Sequence, residues 1–172
     1  MNRLPALTPQ RLHILFYTAS AVHGMLLELA ASLALRGPLL VLDGGNHFNG
    51  YVISKAIRRE GAAVIPVLQR IQVARAFTCS QMAAMLSDLP VSTTPLLALD
   101  LLSTFQDESV PLYDRKRLLA GCLPELQRLS RAAPVLVSAR PGEPELAELL
   151  AKSADEIWHI QQPITPPALK LF

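Results

Sequence analysis

Four aliphatic residues in a row, Leu39-Leu40-Val41-Leu42, run into Asp43-Gly44-Gly45 and then Asn46, His47 and Phe48. A short aliphatic run stopped by an acid and glycines reads as a fully buried strand ending in a turn. Strands buried on both sides belong to parallel sheets covered by helices. Ligands in such sheets sit at the carboxyl ends of the strands. Asp43, Asn46 and His47 fall there.

The pattern recurs along the chain. Strands are expected at Leu12–Tyr17, Ile71–Ala76, Pro95–Leu102, Pro134–Ala139 and Glu156–Ile160. The first and the last four alternate with helical stretches. Val22–Arg36 is apolar on nearly every side and reads as a buried helix ending at Gly37. Phe48–Glu60 reads as amphipathic, with Tyr51, Ile53, Ala56 and Ile57 inward and Lys55, Arg58 and Arg59 outward. Val64–Leu68 is a short helical turn. Cys79–Leu89 is a helix capped by Thr78 or Ser80. Residues 103–114 are expected to be a loop, Arg115–Ala132 a long helix, and Pro144–Lys152 a helix opened by proline. Alternating strands and helices are the signature of an α/β fold with a mostly parallel sheet and right-handed crossovers. The expected organisation is a lead-in over 1–11, one core domain over 12–160, and a Pro-rich tail over 161–172.

Composition fits one compact domain. Hydrophobic residues make up 51% of the 172 positions and charged residues 17%, so a large core is within reach and disorder is not expected. A net charge of +2 is too mild to call for nucleic acid. Cys79 and Cys122 lack metal-ligand spacing and read as reduced thiols. The N-terminal residues hold no apolar signal core, and no run reaches the length of a membrane helix. The cytoplasm is the expected location.

Three segments, taken in order, resemble the ATPase core of RecA-type recombinases, in the archaeal and eukaryotic branch with its paralogues. The first is Ile71-Gln72-Val73-Ala74-Arg75-Ala76-Phe77-Thr78-Cys79-Ser80-Gln81. It is similar to a strand-to-helix segment of those recombinases. The second is Leu42–Phe48 with the helix that follows. The third is Leu96–Phe105, which looks like a Walker B strand with Asp100 as its acid. The likeness spans roughly residues 12–141 and implies a RecA-like three-layer domain.

The same resemblance shows what this chain lacks. A phosphate loop needs Gly-x-x-x-x-Gly-Lys-[Ser/Thr], where backbone amides cradle phosphates, the lysine reaches the transferred group and the hydroxyl holds magnesium. The corresponding residues run from Ala19 to Leu26. Gly24 remains, Met25 stands in the lysine position and Leu26 in the hydroxyl position. The family's water-activating glutamate falls near Gly45. These losses argue against ATP hydrolysis and against conventional ATP binding.

Other residues remain as candidates. Asp43, His47 and Asp100 could converge at the sheet edge on a divalent metal, but their spacing matches no ligand motif, and neither metal nor cofactor is assigned. His23 and Gly24 open a helix where an anion could meet free amides, although a pocket plugged by Met25 is the plainer reading. Arg75, Phe77, Gln81, Arg115, Lys116 and Arg140 are candidate interface or DNA contacts. Against DNA, the loop after the fourth strand is acidic (Asp107, Glu108), and a solvated basic face is the plain reading of the helix from Arg115.

The expectation is a non-catalytic, recombinase-paralogue-like protein. It would act through a protein partner in DNA recombination or repair, with weak DNA binding or self-association as further options. The Pro-rich tail is a candidate docking segment. Two alternatives stay open: a RecA-fold binding protein with a non-DNA target, such as a SulA-type cell-division regulator, or a nucleotide or metal binder with a non-standard site around Asp43, Asn46, His47 and Asp100.

Overall fold

A computed structural model of the chain describes residues 4–161. Six strands form one sheet: β1 (Leu12–Tyr17), β2 (Leu39–Asp43), β3 (Ile71–Arg75), β4 (Leu96–Leu99), β5 (Val135–Ala139) and β6 (Glu156–Ile160). Their order across the sheet is β3-β2-β4-β5-β1-β6, and every pairing is parallel. The sheet is thus wholly rather than mostly parallel. β1, β4 and β5 are buried at every position, as continuous aliphatic runs require between two helical layers.

The strand order fixes which helix covers which face. Right-handed crossovers that step toward the β3 edge must lie on one face, and those that step back must lie on the other. The first set is α1 (Ala21–Arg36), α2 (Gly50–Arg59) and α3 (Val64–Leu68). Their buried residues form one core with Leu15, Val41, Leu97 and Leu136. The second set is α4 (Cys79–Asp88), α5 (Leu112–Ser130) and α6 (Pro144–Lys152). They pack on Ile14, Leu42, Ala98 and Val137. Alternate residues of each strand feed opposite cores, as the period-2 geometry demands. Crevices open where neighbouring strands send their chains to opposite faces. Two such places are β2/β4 and β5/β1.

Several boundaries differ from the sequence expectation. β4 stops at Leu99, and Leu101–Phe105 turn into a short 3-10 helix. Asp100 forces this by taking the left-handed conformation, φ 49° and ψ 50°. α5 starts at Leu112, because Pro111 fixes the residue just before its first turn, so the loop is shorter than 103–114. In α2 the inward residues are Ile53, Ser54, Ala56 and Ile57, while Tyr51 faces water at 68% exposure. The lead-in is not loose: Leu4 and Leu7 pack on the α1 core, and the Thr8 amide donates to His13 Nε2 at 3.3 Å. The tail expected over 161–172 lies outside the described residues, Gln161 excepted. Among the described residues, no helix is long and apolar enough to cross a membrane.

Candidate functional site

The site starts from the turn after β2. Asp43 is fully buried, and its carboxylate is consumed locally. Oδ1 accepts from the His47 amide at 3.0 Å, and Oδ2 accepts from the Phe48 amide at 2.8 Å and from Arg75 Nε at 3.3 Å. Arg75 also donates to the Phe48 carbonyl at 3.1 Å. Asn46 absorbs the reversal with φ 57°, a conformation asparagine tolerates better than most residues. Asn49 then caps α2 through the Tyr51 amide. Asp43 thus fixes the position of His47 and is not the free ligand that the Asp43–His47–Asp100 grouping, one possibility from sequence, would need.

Gly44 and Gly45 let this turn approach the end of β4. A Cβ on Gly44 would lie 2.8 Å from the Asp100 carbonyl oxygen. One on Gly45 would lie 2.5 Å from His47 Cδ2 and 2.7 Å from Asp100 Oδ2. A glutamate has no room there unless both side chains move.

Asp100 sits at the centre. Its amide donates to Ser138 Oγ at 2.9 Å, its Oδ1 accepts from the Arg140 amide at 3.2 Å, and its Oδ2 lies 3.2 Å from His47 Nε2. The His47 ring stacks on His23 with centroids 3.7 Å apart. His23 Nε2 meets the Tyr17 hydroxyl at 2.8 Å and the Arg140 guanidinium at 3.2 Å. A guanidinium can only donate, so this nitrogen accepts and the His23 ring is neutral. Burial holds the His23 imidazole below its ordinary range, reinforced by His47 and by the Arg140 charge. The Tyr17 hydroxyl is pushed up to about 12, first by burial and then by the Asp100 carboxylate, with Arg140 opposing. The Arg140 guanidinium carbon also lies 5.5 Å from the Tyr17 ring centroid, within cation–π range.

These groups fill the crevice. The cavity between Tyr17, His23, Leu26, His47, Leu99 and Asp100 measures about 10 Å³, close to the smallest space that holds one water. The connection from β1 to α1 is only Thr18-Ala19-Ser20. Two of the amides at the start of α1 are engaged: Val22 donates to the Ala19 carbonyl and His23 to the Ser20 carbonyl. The His23 amide is thus not the free donor that an anion site there would need. Gly24 lies inside the first turn of α1 with open space around it, Met25 packs against the core, and Leu26 is buried.

The remaining candidates separate. Phe77 is 71% exposed just beyond edge strand β3, its amide held by Gln81 Oε1 at 2.8 Å. Arg115 is buried and clamps the Phe105 and Val110 carbonyls, so it is a structural residue rather than a surface contact. Lys116 pairs with Glu145. Arg140 belongs to the central cluster. Sequence reading missed Tyr17 and Ser138, and it did not bring His23 to His47. Both tie in only once β1 and β5 are known to be neighbours.

Comparison of the chain with protein-family models and with curated protein sequences finds no match for it.

Proposed function

We propose that this chain is a degenerate recombinase-like core that neither hydrolyses nor conventionally binds ATP, and that it acts by binding a protein partner in DNA recombination or repair. One observation carries the non-catalytic half: the crevice a nucleotide would use is occupied by Tyr17, His23, His47 and Asp100 down to about 10 Å³. The recombinase half rests on the sequence resemblance of Ile71–Gln81 and the two segments around it.

The edge of the sheet supports a binding role. Among the described residues β3 pairs with β2 alone, and Val73 (38% exposed) lies on it with Phe77 just beyond its end. An edge strand with exposed apolar side chains is a ready surface for another chain. Arg75 is spoken for by Asp43 and Phe48, so Phe77 is the residue whose loss should matter most to a partner.

The test is affinity capture with tagged chain, wild type against Phe77→Asp. Recovery of a recombinase or a single-stranded-DNA-binding protein with wild type, lost in Phe77→Asp, would support this reading. Recovery of a cell-division protein in its place, or of no recombination protein, would overturn it.

A further inference from the structure

We propose that His23, His47 and Asp100 form a site for one divalent transition-metal ion, zinc being the best-fitting class. The three side chains come from the first turn of α1, the turn after β2 and the end of β4, and they meet at the carboxyl edge of the sheet. One ligand atom from each lies within 4.8 Å of the others. Among the described residues, no other trio of histidine, cysteine or acidic side chains does so.

The donor set selects the ion. Two imidazole nitrogens and one carboxylate oxygen suit zinc and its first-row neighbours, whereas magnesium and calcium take oxygen ligands. The spacing is close to what is needed. Ligands on a tetrahedral zinc with bonds of about 2.0–2.1 Å stand roughly 3.3 Å apart. His47 Nε2 and Asp100 Oδ2 are already 3.2 Å apart. His23 is the ligand that must adjust, by up to about 1.5 Å from a separation within 4.8 Å and with its ring splayed from His47. It sits in a helix turn whose first residue lacks a side-chain cap, beside Gly24, which has open space around it.

The supporting groups are in place. Metal sites depend on outer contacts that orient the ligands. The Asp43 carboxylate holds the His47 backbone, Ser138 receives the Asp100 amide, and the Arg140 amide takes Asp100 Oδ1, leaving Oδ2 for the ion. Three protein ligands leave a fourth position for water or an exogenous donor.

Arg140 opposes the ion, and that opposition makes the proposal specific. Its guanidinium lies 3.2 Å from His23 Nε2, which the Tyr17 hydroxyl also meets at 2.8 Å, and it places a positive charge beside the site. An ion bound through Nε2 must displace both, and one bound at either nitrogen meets the Arg140 charge. Removing that side chain should therefore strengthen metal binding here, whereas adventitious binding elsewhere would not respond.

The experiment is calorimetric titration of zinc chloride into chelator-treated full-length protein, with Co²⁺ absorption as a second readout of low-coordinate geometry. The expected result is one equivalent bound, weakened more than about tenfold by His23→Gln and by His47→Ala. Arg140→Gln should tighten it severalfold, and His159→Ala, at an exposed histidine on β6, should leave it unchanged. Circular dichroism checks that each variant is folded; His23→Gln, at a partly exposed position, keeps the test decisive if His47→Ala does not fold. Absence of binding to wild type at micromolar zinc, or binding indifferent to His23→Gln and Arg140→Gln, would overturn the proposal.

Discussion

The imidazole rings of His23 and His47 stack with centroids 3.7 Å apart and planes 25° from parallel. They come from separate crossovers, and their contact closes the crevice at the carboxyl edge of the sheet. Two protonated rings at this distance would repel strongly, so the contact does not tolerate a charge on both.

This gives a pH dependence. The unfolded His23 imidazole protonates at about 6.5. In the fold, burial, then His47 and Arg140, hold it lower. Between the two values the unfolded chain binds more protons, so stability falls as pH drops through that window. In metal-free buffer, the urea midpoint of wild type should fall more between about pH 7.5 and pH 5 than that of His23→Gln. Equal losses would remove His23 from the account.

Tyr17 acts at the other end of the scale. Its folded value is about 12 against an ordinary 10. Its contribution is fully present below pH 10 and is lost as pH rises from there toward 12, because the unfolded hydroxyl ionises first. The tyrosinate absorbance attributable to Tyr17, taken as wild type minus Tyr17→Phe, should appear near pH 12 rather than near 10. A rise near 10 would mean the hydroxyl is not buried against Asp100.

Asp43 organises the turn that carries His47. Asp43→Ala would strand the His47 and Phe48 amides and the Arg75 guanidinium. The expected loss is about 1–3 kcal/mol, the range for leaving a buried donor without its acceptor, since the half-exposed Arg75 can turn to water. Urea denaturation of the variant measures it. A loss below about 1 kcal/mol, the scale of a single ordinary hydrogen bond, would show the turn is held elsewhere.

Gly45 is needed for close approach, not for an unusual backbone angle. Gly45→Ala puts a methyl against His47 and Asp100 and should cost about 1–3 kcal/mol by overpacking. It should also shift the histidine ring signals in a proton NMR spectrum. A variant as stable as wild type with unchanged signals would contradict the packing described.

The cysteines are both buried and free. The Cys122 thiol is pushed up to about 12, chiefly by burial and then by Cys79 and Glu125. The native protein should react negligibly with a thiol reagent near pH 8 and fully once unfolded. Rapid native reaction would place Cys122 outside the α5 core.

Much of the fold could be read from the chain because its central strands β2, β4 and β5 are short aliphatic runs, the first two closed by the acids Asp43 and Asp100. β1, α3, α6 and β6 fall on the residues expected for them. Where the reading failed, a local conformation overrode the pattern. Leu101 and Leu102 continue the aliphatic run of β4, yet the left-handed Asp100 turns them into a buried 3-10 helix. Tyr51 fits an apolar helix pattern but faces water. The site was half legible. The ends of β2 and β4 announced themselves by Asp43 and Asp100. Which carboxylate is consumed, and which histidine meets His47, depend on β4 and β5 lying between β2 and β1 in the sheet. No spacing in the sequence encodes that order.

The central claim is that this crevice is closed to nucleotide by its own side chains. Calorimetric titration of ATP with magnesium into the purified chain, with ADP as control, tests it most directly. The account predicts no binding heat at tens of micromolar protein. Saturable micromolar binding would contradict it, since phosphates would then have displaced the His23–His47 stack or found amides that this fold keeps engaged.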